Sequence, residues 1–194
     1  MIVAISLIGA LSMCSKKARY EALVEEGLSS GVRHDTLFLG LTLGMTSKDF
    51  YSQCWELNKQ GVIRQGSGNT SVLYTMEDEF KSTINANFYP TFHKDKIYEM
   101  PVRFQYESWA PWNSQYSTDT LKVELVDLFE EWYGKGFIQV ENETRGDAFV
   151  KVDGNRRISI YSDPNQQGVV WALYTDMSVD EEVKALTKNA TEEQ

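Results

Sequence analysis

Acid–base, nucleophilic or metal chemistry in this chain would have to be assembled from two histidines, two cysteines and 28 carboxylates. His34 and His93 stand at no metal-ligand spacing to Cys, Asp or Glu, and neither His-Glu-x-x-His nor Cys-x-x-Cys occurs. Both read as surface histidines. Ser67, within Gln65-Gly66-Ser67-Gly68-Asn69-Thr70, lacks the Gly-x-Ser-x-Gly frame of a nucleophile elbow. No strand-to-helix context follows that Gly-x-Gly, so it reads as a loop rather than a phosphate cradle. Asp127 and Glu131 are four apart on a helix, on the side opposite its apolar stripe, which describes a solvated face. Asp153-Gly154-Asn155 is a hairpin turn without the alternating ligands of a calcium loop. The expectation is a chain that is not an enzyme and takes no cofactor or metal.

Aromatic residues offer binding chemistry instead. Tyr106-Glu107-Ser108-Trp109-Ala110-Pro111-Trp112-Asn113-Ser114-Gln115-Tyr116 joins the two halves of the chain. Exposed rings at Tyr106, Trp109, Trp112 and Tyr116 would anchor a partner protein or stack on a sugar. Buried, the same rings would wedge the halves together. Both readings stay open on sequence grounds.

Cys14 ends an uncharged apolar run, Met1 to Met13, and Ser15-Lys16-Lys17 follows it. Thirteen helical residues cover roughly 20 Å, short of a ~30 Å hydrocarbon core but suited to the apolar part of a secretory signal. Leu11-Ser12-Met13-Cys14 resembles a bacterial lipobox, whose cysteine is acylated and becomes the first mature residue. Met13 stands where that motif carries a smaller residue. The resemblance implies a lipid anchor at Cys14, with several acyl chains holding the protein at a bilayer. A buried N-terminal element, a retained anchor and a Cys14–Cys54 disulfide are the alternatives. Cys54 falls on the apolar side of a predicted helix and reads as packing. The net charge of −9 excludes nucleic acid as a natural partner and leaves membrane attachment to the acyl group.

Two helices position these residues. The first starts at Thr46 with Asp49 three positions on, buries Phe50, Cys54 and Leu57, and stops at Gly61. The second runs from Thr120 to Tyr133 with a stripe of Leu121, Leu125, Leu128, Phe129 and Trp132. A shift of 75 positions places Phe50 on Leu125, Cys54 on Phe129 and Gly61-Val62-Ile63 on Gly136-Phe137-Ile138. Strand-like runs follow each helix: 71–76, 83–92 and 97–106, then 149–152, 158–161 and 168–175. Pro90 and Pro101 inside two of them suggest edge or bulge positions. The expected fold is α+β, two tandem repeats of a helix and three antiparallel strands, with the helices on one face of the sheet. Its parts are a signal segment 1–14, a tether 15–36, repeats 37–109 and 110–177, and a short helix with a polar tail over 178–194.

Gly40-Leu41-Thr42-Leu43-Gly44-Met45-Thr46, leading into a helix and then strands, resembles small periplasmic lipoproteins of the SmpA/BamE type and the modules of the β-lactamase-inhibitor-protein fold. The whole chain is similar to uncharacterised bacterial lipoproteins. The resemblance implies a scaffold that binds other proteins, with an envelope protein as partner. The expectation is thus an exported, lipid-anchored protein-binding module at the outer membrane or periplasmic face of the envelope. The alternative is a carbohydrate- or cell-wall-binding protein using Trp109 and Trp112.

Overall fold

The computed structural model of the protein describes residues 4–66, 71–77, 80–141 and 147–192, with side-chain surroundings described between 16 and 185. The Ser67–Thr70 part of the glycine loop lies outside the described residues, as do the side chains of the apolar run and of Cys14. The fold is α+β: among the described residues, four α-helices and one nine-stranded antiparallel sheet.

Helix α1 covers Ala4–Ser29 and α2 covers Ser47–Lys59. Strands β1 (Ile63–Gln65), β2 (Val72–Met76), β3 (Ile84–Phe88), β4 (Thr91–His93) and β5 (Lys96–Tyr106) follow. Helix α3 (Thr118–Tyr133) precedes β6 (Ile138–Val140), β7 (Ala148–Asp153), β8 (Arg156–Tyr161) and β9 (Val170–Asp176), and α4 covers Met177–Glu192. The strand order is β1-β2-β3-β5-β9-β8-β7-β6, with β4 folded back on β5. The starts of α2 and α3 are capped by the side chains their sequence supplies. Thr46 accepts from the Asp49 amide at 3.2 Å, and Ser117 from the Thr120 amide at 3.2 Å.

The 83–92 run is two strands, because Tyr89 and Pro90 break it and β4 turns to pair with the other end of β5. Pro101 lies inside the central strand, opposite Leu173 of β9. It sits where β5 changes partner: β4 pairs up to Glu99 and β3 begins at Val102. A residue without an N–H is tolerated where one side of the strand has no ladder partner. Each half places four strands in the main order instead of three. The added ones, β1 and β6, are three residues long, too short for alternation to register.

One sheet face carries Ile84, Ala86, Phe88, Met100, Val102, Phe104, Ile158, Ile160, Ala172 and Tyr174. Helices α2 and α3 cover it with Phe50, Leu121, Leu125 and Phe129, and the loop residues Leu37, Leu41 and Leu43 complete the core. The expectation of helices on one face does not describe α1 and α4, which lie against the opposite face. Arg157 of that face donates to the Tyr20 hydroxyl of α1 at 3.1 Å and to Asp180 of α4 at 3.4 Å. The physical reason is apolar surface: Ile138, Val140, Val150 and Val152 share that face at its β6–β7 end and need cover. The stretch read as a tether is helical to Ser29, and Lys16 already pairs with Glu141 at 2.8 Å.

Candidate functional site

The connector residues separate into two groups. Tyr106 is 2 % exposed, and its hydroxyl donates to Glu124 Oε2 at 2.7 Å. Burial first, then that carboxylate, pushes its ionisation well above the ordinary tyrosine value. Tyr116 packs on Tyr106 with ring centroids 5.1 Å apart. Trp109 is half-buried against the core, its indole lying directly on Gly168, where a Cβ would stand 2.4 Å from the ring. Trp112 alone of the four is open, at 87 % exposure. The pair Trp109 and Trp112 therefore does not present two rings on one surface.

Cys54 is half-buried on α2 with a free thiol, and burial pushes its pKa up to about 11. His34 is exposed, whereas His93 is half-buried. The Nε2 of His93 is buried without a hydrogen bond, 3.6 Å from Glu182 Oε1. Asp127 and Glu131 are exposed. Among the described residues no group of three His, Cys, Asp or Glu side chains is placed to hold a metal.

His93 borders a cleft of about 730 Å³ between the β4–β5 turn, residues 33–49 and the start of α4. Its charges are largely matched to one another. Arg33 reaches Asp176 at 2.7 Å and Asp35 at 2.8 Å, and Lys94 reaches Glu182 at 2.5 Å. Asp176 would be raised by its own burial, but hydrogen bonds from Ser178 and Arg33 outweigh that and hold it below the usual carboxylate range. Beside it, Asn155 bonds Asp35 and the His34 amide, while Arg156 bonds the Thr36 carbonyl and Asp153 and stacks 4.6 Å from the Tyr133 ring. These bonds, beside the cleft, fasten residues 32–36 to the β7–β8 hairpin.

The remaining surface is the sheet face opposite α2 and α3. Strand register places Arg64, Leu73, Asn87, Arg103, Trp171, Tyr161, Ala148 and Val140 in one row across eight strands. Helix α1 crosses the β6–β7 end of this row. Arg103, Trp171 and Tyr161 are consecutive at its centre, on strands about 4.8 Å apart, and all three are half-buried. A neighbouring row holds Thr75, Asn85 and Gln105, and Arg103 donates to Gln105 at 3.1 Å. Another carries Pro101, Leu173 and Ser159. Arg64 and Arg103 are the charges of these rows, against −9 for the chain; the next row pairs Glu99 and Arg157 across Thr175, with Arg157 already bonded to Asp180 of α4.

No family model, curated protein or solved structure matches this chain. The surface is therefore read on its own chemistry. Its central residues lie at 103, 161 and 171, on three strands, so no local motif could have announced them. Strand alternation in β5 was the available signal, since it put Arg103 and Gln105 together on the side away from the core. Among the described residues no helix is long and apolar enough to cross a membrane.

Proposed function

We propose that this chain is a protein-binding module that captures an acidic, partly apolar partner surface on the open face of its sheet. The observation that carries the reading is the consecutive Arg103, Trp171 and Tyr161. Trp, Tyr and Arg are the residue types that dominate binding energy when they cluster at the centre of a contact. Held on strands, they lose little conformational freedom on association. The surplus of arginine on this face of an acidic chain sets the sign of the partner. Asn85, Asn87 and Gln105 beside them supply hydrogen bonds of either polarity.

The module is exported and held at the envelope by acylation of Cys14, on the strength of the apolar run and Leu11-Ser12-Met13-Cys14. Its two halves arose by tandem duplication. The 75-position shift that aligns α2 with α3 also carries β1 (63–65) onto β6 (138–140), which supports common descent of the halves. So does the mirrored strand order about the β5–β9 pair.

The test is co-purification of the partner from envelope extract by the full chain. Trp171→Ala and Arg103→Glu are expected to lower partner recovery at least tenfold with the circular dichroism spectrum unchanged, whereas Trp112→Ala leaves recovery intact. Retained binding by both sheet-face variants would remove the face from the reading. Mass spectrometry of the membrane-extracted protein tests the anchor: an acylated Cys14 terminus supports it, and an intact Met1 sinks it.

A further inference from the structure

A groove of about 680 Å³ runs between α1 and α4, apart from the open rows of the sheet. Its floor is apolar, formed by Val24 and Leu28 of α1 and by Met177 at the start of α4. Its rims are acidic. Glu21 and Glu25 stand one turn apart along α1, and Glu181 stands on α4. The cations within it are already engaged: Arg157 and Lys184 both reach Asp180, at 3.4 and 2.7 Å. Glu21 meets Lys17 at 3.9 Å with both side chains exposed, a contact of small energetic consequence. Among the described residues, Glu25 and Glu181 pair with no cation.

We infer that this groove docks a basic amphipathic helix of a partner protein. The occupant lays apolar side chains on Val24, Leu28 and Met177 and sets lysines or arginines against Glu21, Glu25 and Glu181. The volume falls within the range of sites that enclose several side chains. Carboxylates four apart on α1 are neighbours along one helix side, and they match cations at the same spacing on the occupant. The acidic rim also rejects anionic lipid, which separates a protein helix from a membrane surface as occupant. The site goes beyond the sheet-face reading and stands without it.

The probe is an 18-residue amphipathic helical peptide of leucine and lysine, titrated into the full chain and followed by fluorescence anisotropy. Saturable one-to-one binding is expected, weakening with salt. Hydrogen exchange should slow over residues 20–28 in the complex. The triple variant Glu21→Gln, Glu25→Gln, Glu181→Gln should weaken binding at least tenfold. A charge-matched control on the exposed side of α3 (Asp119→Asn, Asp127→Asn, Glu131→Gln) should leave it within twofold, as should Trp171→Ala. Three outcomes overturn the inference. They are absence of saturable binding, equal weakening by the α3 control, and loss through Trp171→Ala with the groove variant still binding. The last of these would move the peptide to the sheet face and leave the proposed function in place.

Discussion

At the scale of single residues, what covers an aromatic ring decides what it can bind. Trp109 and Trp112 are three positions apart in one connector, yet one ring lies on Gly168 and the other is 87 % exposed. Nothing local distinguishes them, because the partner that covers Trp109 comes from 59 residues later in the chain. Asp176 was equally silent in sequence. Its side chain is 3 % exposed and bonds Ser178 and Arg33. Its folded-state pKa lies below the unfolded value, so its contribution to stability is complete above the unfolded value of about 3.9 and is lost as pH falls through the folded pKa. The unfolded chain takes up the proton first, and acid therefore favours unfolding. Asp176→Asn should lower stability at pH 7 by about 1–2 kcal/mol, the scale of lost charge-assisted hydrogen bonds. It should also flatten the fall in urea midpoint between pH 5 and pH 2 relative to wild type. Midpoints measured at five pH values check this, and parallel profiles for the two proteins would contradict it.

Secondary-structure elements were far more legible, because their signals are local. Thr46 with Asp49 and the Leu121–Trp132 stripe locate α2 and α3 to within two residues at their starts. The alternation of Met100, Val102, Phe104 and Tyr106 against Arg103 and Gln105 reproduces the two sides of β5. Helix α1 continues to Ser29 through a stretch whose composition reads as a tether, and Gly27 is the reason. In Glu25-Glu26-Gly27-Leu28-Ser29-Ser30-Gly31 it looks like linker chemistry, since glycine in a helix costs about 1 kcal/mol relative to alanine. In the fold it is the point of closest approach. A Cβ there would stand 2.7 Å from the Gly154 carbonyl oxygen and 3.0 Å from Val152 Cγ1. Gly27→Leu should therefore raise the helical propensity of α1 and yet release it from the sheet. The expected result is faster hydrogen exchange over residues 16–29 than in wild type, with exchange in β5 and β9 unchanged. Unaltered protection of α1 in this variant would mean that the helix does not depend on that contact.

At the scale of the whole molecule, the repeated order of elements suggests two units, and the packing opposes their independence. The core is one cluster running from Leu37 to Tyr174, with Phe104 of the first half and Phe129 of the second in edge contact at 6.1 Å. The halves share the β5–β9 pairing over six residue pairs at the centre of the sheet. Residues 32–36 add a second fastening. They precede the first helix of the first half but bond the β7–β8 hairpin of the second, through the Val32 and Thr36 carbonyls, Asp35 and the His34 amide. Neither half can be removed without exposing apolar strand faces and stranding Arg156 in a buried site. Equilibrium unfolding should accordingly be a single transition, even though the chain exceeds the size at which cooperativity is routine. Five tryptophans provide reporters, with Trp55 on α2, Trp132 on α3 and Trp171 on the central strand β9. With 5-fluorotryptophan incorporated, native fluorine resonances from all three should vanish at one urea concentration. Phe88→Ala, a core truncation in the first half costing about 3–5 kcal/mol, should move them together. A Trp132 signal that stays at its wild-type midpoint while Trp55 moves would mean that the halves fold separately, with β5–β9 as an interface between two domains.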